Sequence, residues 1–169
     1  MRIRYLFIIG LSALAWRASA TCVADGPLDT ARWIYANQPG FASYELPQSF
    51  RYEERFLSPE LLDLLETEWK CQGIEEGICA LESDSWTNAQ DGEVLPPIAF
   101  DLVSTTASQA TVRMSFRFGW SDVNTPKPVA AQATLSLAKD ATSSCWLLVD
   151  LVGREGRSLV KQIQSYRYP

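Results

Sequence analysis

The chain has 169 residues and an acidic balance, 15 Lys and Arg against 20 Asp and Glu, for a net charge of −5. It contains no histidine, which excludes Ser-His-Asp and Cys-His catalysis and the zinc and copper sites built on imidazole. A surface of this sign repels nucleic acid and anionic lipid headgroups and attracts basic partners, while also serving solubility.

The first twenty residues read as a secretory leader. Arg2 and Arg4 precede the apolar run Tyr5–Trp16, and Ala18-Ser19-Ala20 supplies an A-x-A cleavage site. A run of this length is too short to cross a bilayer, so no transmembrane span is predicted. Without a paired Arg-Arg, the general secretion route is favoured. Cleavage after Ala20 leaves 149 residues, predicted as a single domain over 21–169, and takes the basic count from 15 to 12 against 20 acids, a net −8. Cys22 sits where a bacterial lipoprotein could be acylated, but Ser19 and Thr21 stand where that processing favours Leu and a small residue. The expectation is therefore a periplasmic protein with no lipid anchor.

Four cysteines survive cleavage, an even count that in an exported chain points to two disulfides. Cys71 and Cys79 flank the short stretch QGIEEGI and are paired on that ground, which leaves Cys22 with Cys145.

Pro27–Asn37 (PLDTARWIYAN) carries apolar residues at helical spacing and stops before Pro39-Gly40. Between them and the next helix, Phe50, Tyr52 and Phe56 alternate with Arg51 and Arg55, a docking patch or a packed lead-in. Ser58-Pro59-Glu60 is a strong helix start, with a capping hydroxyl, a proline at the first position and an acid in the first turn. Leu61, Leu62, Leu64, Leu65 and Trp69 then form a stripe that predicts a helix over Pro59–Lys70, with Glu60, Asp63, Glu66 and Glu68 as its solvated side.

The stretch Glu82–Gly92 (ESDSWTNAQDG) brings Asp84 and Asp91 close to Trp86, Asn88 and Gln90, side chains that often hold a ligand or a partner. Its structural reading makes Trp86 a core plug and Gln90 and Asp91 turn residues, with Glu82 solvated. The spacing is not that of a calcium loop, and no metal site, cofactor or catalytic residue is assigned. From residue 98 the period changes to two. Strands are predicted around Ile98–Leu102, Val112–Phe118, Val129–Ala138 and Cys145–Val152, and a closing helix over Gly156–Tyr166. Arg113 and Arg117 share the polar face of one strand and could receive an anionic group. Trp120, beside Phe118, is expected in the core.

Helices first, then a four-strand meander and a short last helix, predict an α+β fold with the N-terminal helices packed on a curved antiparallel sheet. RFLSPELLDLL, DSWTNAQDG and the final CWLLVDLV, taken in order, resemble the exported bacterial family of unknown function number 3828. Ser58–Leu61, Asp84–Asp91 and Trp146–Asp150 carry the likeness, which spans the chain from about residue 27. Ser85-Trp86 departs from the Pro-Phe more usual there. The resemblance implies a cone-shaped fold similar to nuclear transport factor two, and no single function, since such folds host many.

Export, small size, acidity and the missing histidine point to a non-catalytic periplasmic binding protein. A concrete form of that reading is an immunity-type protein that blocks a basic toxin. The alternative is a small-ligand carrier or a carboxylate-based hydrolase using a hollow in the cone. Candidate contact residues are Asp84, Trp86, Asn88, Gln90, Asp91, Arg113 and Arg117; the partner is an unidentified protein, and a homodimer stays open.

Overall fold

The computed structural model describes residues 21–37, 56–75, 79–121 and 127–168. The predicted leader and the patch residues Phe50, Arg51, Tyr52 and Arg55 lie outside the described residues. Two helices, α1 (Pro27–Asn37) and α2 (Pro59–Glu75), precede four strands, β1 (Glu93–Thr105), β2 (Gln109–Gly119), β3 (Val129–Lys139) and β4 (Trp146–Val152), and a short helix α3 (Leu159–Ser165) closes the chain. The strands pair in sequence order, each antiparallel to the next. This is the predicted α+β layout.

Strand alternation sets the two faces of the sheet. Val112, Met114 and Phe116 of β2 and Ala133, Leu135 and Leu137 of β3 point into the core, joined by Leu148 and Leu151 of β4. Among the described residues this inner face is packed with large side chains, Phe56, Ile34, Leu61, Leu65 and Trp86 all being fully buried. Burial of each such side chain contributes roughly 1.5–3 kcal/mol. β1 starts five residues earlier than predicted, because Pro96 and Pro97 lie within it. Prolines are tolerated at the border of a sheet, where a missing amide breaks no ladder.

Local chemistry explains the helix that the sequence shows best. The Ser58 hydroxyl accepts from the Leu61 amide at 3.2 Å, and the Ser58 carbonyl accepts from Leu62 at 2.9 Å. The buried stripe of α2 runs Leu61, Leu65, Glu68, Gln72, so the helix turns a carboxylate inward. This corrects the reading of Glu68 as a solvated acid. α2 also continues beyond Lys70, carrying Cys71 into its last turns.

The free side of β4 is covered. Leu57 forms a parallel bridge with Leu148, and Ser158 bridges antiparallel to Val152. Asp150 accepts from the Ser158 hydroxyl at 2.7 Å and the Val160 amide at 3.1 Å, seating the start of α3 on the strand. Both predicted disulfides are present, Cys71–Cys79 and Cys22–Cys145. The second joins the arm before α1 to the residue preceding β4 across 123 positions. No helix among the described residues is long and apolar enough to cross a membrane.

Candidate functional site

The acidic stretch is built as a tight turn. The Asp84 carboxylate accepts from the Trp86 amide at 3.0 Å, the Thr87 amide at 2.8 Å and the Thr87 hydroxyl at 2.9 Å. The Asp84 carbonyl receives the Asn88 amide, and its own amide donates to the Ala89 carbonyl. An aspartate so engaged ties a turn together. Trp86 is 1% exposed and meets the Tyr35 ring edge-on at 5.2 Å, as a core plug does. Burial, and after it the nearby negative charge of Asp84, push the Tyr35 hydroxyl above its ordinary pKa.

Asn88 takes a left-handed backbone, φ +54, and is buried. Neither end of its carboxamide has a hydrogen-bond partner among the described residues. Its carbonyl and those of the two residues before it are all met by one distant turn. Arg154 donates its amide to Trp86 at 2.9 Å and its Nε to Thr87 at 3.3 Å, and Arg157 donates to the Asn88 carbonyl. The Arg154 guanidinium also stacks 4.2 Å from the Phe118 ring and pairs with Glu155. These two arginines were not among the sequence candidates. Their one signal is the pattern Gly153-Arg-Glu-Gly-Arg157, two cations around an acid in a glycine-bounded turn.

The predicted contact residues do not converge. Asp84, Trp86 and Asn88 share the loop and turn inward, whereas Gln90 and Asp91 are exposed beside it. Arg113 and Arg117 lie on the face of β2 opposite Val112, Met114 and Phe116, while Phe118, which meets Arg154, faces the core side. The sheet therefore separates those two arginines from the loop. Trp120 is 42% exposed, which corrects its expected place in the core: β2 ends at Gly119, so the alternating pattern stops one residue short of it. Phe56 is fully buried against Trp33, so it is packed and not presented.

A different surface combines charge with shape. Between α2 and α3 runs an open groove of about 370 Å³. Leu64, Val149 and Val160, over the buried Leu61, form the apolar part of its floor, Thr67 and Gln164 add a polar part, and Glu60 and Asp63 stand on its rim. Both acids are exposed, and among the described residues neither pairs with a cation. Floor and rim follow from helix periodicity: Leu61 and Leu64 are three apart on one side, and Glu60 and Asp63 precede each of them. A second depression of about 460 Å³ lies beside Ala130 and Gln132, where β3 runs past the end of β4. Its cation, Arg154, is already committed to Thr87, Phe118 and Glu155.

No family model, no curated protein and no solved structure matches this chain. Among the described residues no group of three or more Asp, Glu, Cys or His is placed to hold a metal ion. The groove between α2 and α3 thus combines a partly apolar floor with two exposed acids.

Proposed function

We propose that the protein is an exported, non-catalytic binding protein whose groove between α2 and α3 receives a basic segment of a protein partner. The observation that carries this reading is the pairing of Glu60 and Asp63 with a floor that Leu64, Val149 and Val160 make partly apolar. Apolar contact holds such a partner, and the acidic rim steers it, giving association that is fast and salt-sensitive. The overall negative charge acts in the same direction. Two disulfides support an oxidising compartment, and the leader read from Met1–Ala20 supports the periplasm. A Cys22 sulfur bonded to Cys145 has no thiol left for a lipid. In its finer form the partner is a toxin with a basic cleft, and the protein is its immunity factor. The alternative of paired carboxylates draws less support, since all three hydrogen bonds to the Asp84 side chain are spent within its own turn.

The test is crosslinking capture from the native periplasmic extract at low and high salt, with wild type, E60K/D63K and D84N/D91N. A stoichiometric basic partner held by wild type and by D84N/D91N, but captured on the order of tenfold less by E60K/D63K, is the expected result. Capture that ignores the groove reversal, or that fails only in D84N/D91N, would overturn the groove as the binding surface.

A further inference from the structure

One turn of α2 beyond Leu64 lies a carboxylate that is not among the residues lining the groove. Glu68 is fully buried on the inner side of α2 and accepts four hydrogen bonds. Its Oε1 receives Gln72 Nε2 at 2.7 Å and the Leu81 amide at 2.9 Å, and its Oε2 receives the Ala80 amide at 2.9 Å and the Tyr168 hydroxyl at 2.7 Å. The donors come from three separate parts of the chain: α2 itself, the residues directly after Cys79, and the tail beyond α3. Cys71, bonded to Cys79, lies one turn along α2 from Glu68. Tyr168 follows α3 by three residues, and α3 is only seven residues long. A helix that short has little stability of its own and keeps its place by burying Leu159 and Ile163 in the core and through contacts at its two ends. Asp150 holds the first end, and Tyr168 on Glu68 holds the other.

We propose that closing the Cys71–Cys79 disulfide completes the groove. The bridge fixes the Ala80 and Leu81 amides on Glu68, Glu68 anchors Tyr168, and Tyr168 sets α3 as the second wall against α2. In the closing step the two thiols lose two electrons and two protons to a disulfide-bearing oxidant, which leaves as a dithiol. Before that step only the core packing of Leu81 and Ala80 holds the two amides near Glu68, and a buried carboxylate short of donors is costly enough to open the end of α2 toward water. Cys71 and Cys79 are themselves buried, at 6% and 1% exposure, so a reductant has poor access once the chain is folded. The bridge is therefore a step of maturation, not a reversible sensor, and the groove becomes competent only where thiols are oxidised. Its consequence for binding rests on the groove being the docking surface; the coupling of bridge to α3 does not.

Hydrogen exchange followed by mass spectrometry on the chain Thr21–Pro169 tests the coupling without any partner. Wild type is compared with C71S/C79S, which keeps Cys22–Cys145, and with Y168F, which keeps both bridges. Amides of Gln162–Tyr166 are expected to exchange on the order of tenfold faster in both variants, with β2 and β3 unchanged. Unchanged exchange in that segment for either variant overturns the proposal. Equal acceleration in β2, β3 and α3 also overturns it, because the bridge would then act on global stability alone. Loosening of α3 in a protein that captures no partner leaves the coupling standing and removes the groove from binding.

Discussion

Asn88 and Gly153 lie side by side, and a Cβ on Gly153 would overlap the Asn88 carboxamide. Gly153 is thus required by contact with another residue, not by its own backbone. G153A is expected to destabilise the protein by about 1–3 kcal/mol, read as a lower urea midpoint. N88G/G153A should recover most of that loss, since glycine accepts the left-handed backbone at position 88 and vacates the space. Failure of the double variant to recover would place the strain elsewhere. That this stretch is a turn was legible in the sequence as a structural alternative, because aspartate bonding to the next few amides is local chemistry, but the roles given to Gln90 and Asp91 fall to Asp84. The inward turn of Asn88 was not, because its cover is supplied by Gly153, Arg154 and Arg157, more than sixty positions later.

The elements follow the same division. α1 and the start of α2 stand where capping residues and periodicity place them. The run-on of α2 to Glu75 and the early start of β1 were missed, since a bridged cysteine and a strand at the sheet border each permit what local preference discourages. The closing helix predicted over Gly156–Tyr166 is shorter, Leu159–Ser165, because Gly156 takes a left-handed turn, and Tyr168 beyond it ties α3 to α2. Burial first, and then the hydrogen bond to Glu68, hold the Tyr168 hydroxyl neutral well above its usual pKa. The sign is that of a folded-state value raised above the unfolded one. Its stabilisation is complete well below the unfolded tyrosine's pKa of about 10 and is lost as pH rises through that value toward the raised folded one. Wild type should therefore lose stability between about pH 9 and 11 more steeply than Y168F, as followed by urea midpoints across that range. Parallel slopes would show that Tyr168 contributes nothing to the alkaline loss.

On the scale of the molecule, the Cys22–Cys145 bridge connects the arm before α1 to the entry of β4 over 123 positions. A crosslink that closes so long a loop restricts the unfolded chain more than a short one does. C22S/C145S is expected to lose roughly 3–5 kcal/mol while keeping its far-UV spectrum, and thermal unfolding checks both. A loss no larger than that of C71S/C79S would mean that loop length is not what sets the difference between the two bridges.

The residues read without a fold are enough for the α+β order, the starts of α1, α2 and β3, both disulfide pairings and the sign of the surface charge. Capping, alternation, spacing and ionisation act over a few residues or simply add, so they can be read without knowing what packs against what. That Glu68 is buried and shared, that Arg154 and Arg157 close the Asp84 turn, and that Glu60 and Asp63 stand over a groove between two helices emerges only on folding. Those features depend on desolvation and contact between segments far apart in the chain, and neither quantity exists until the segments meet.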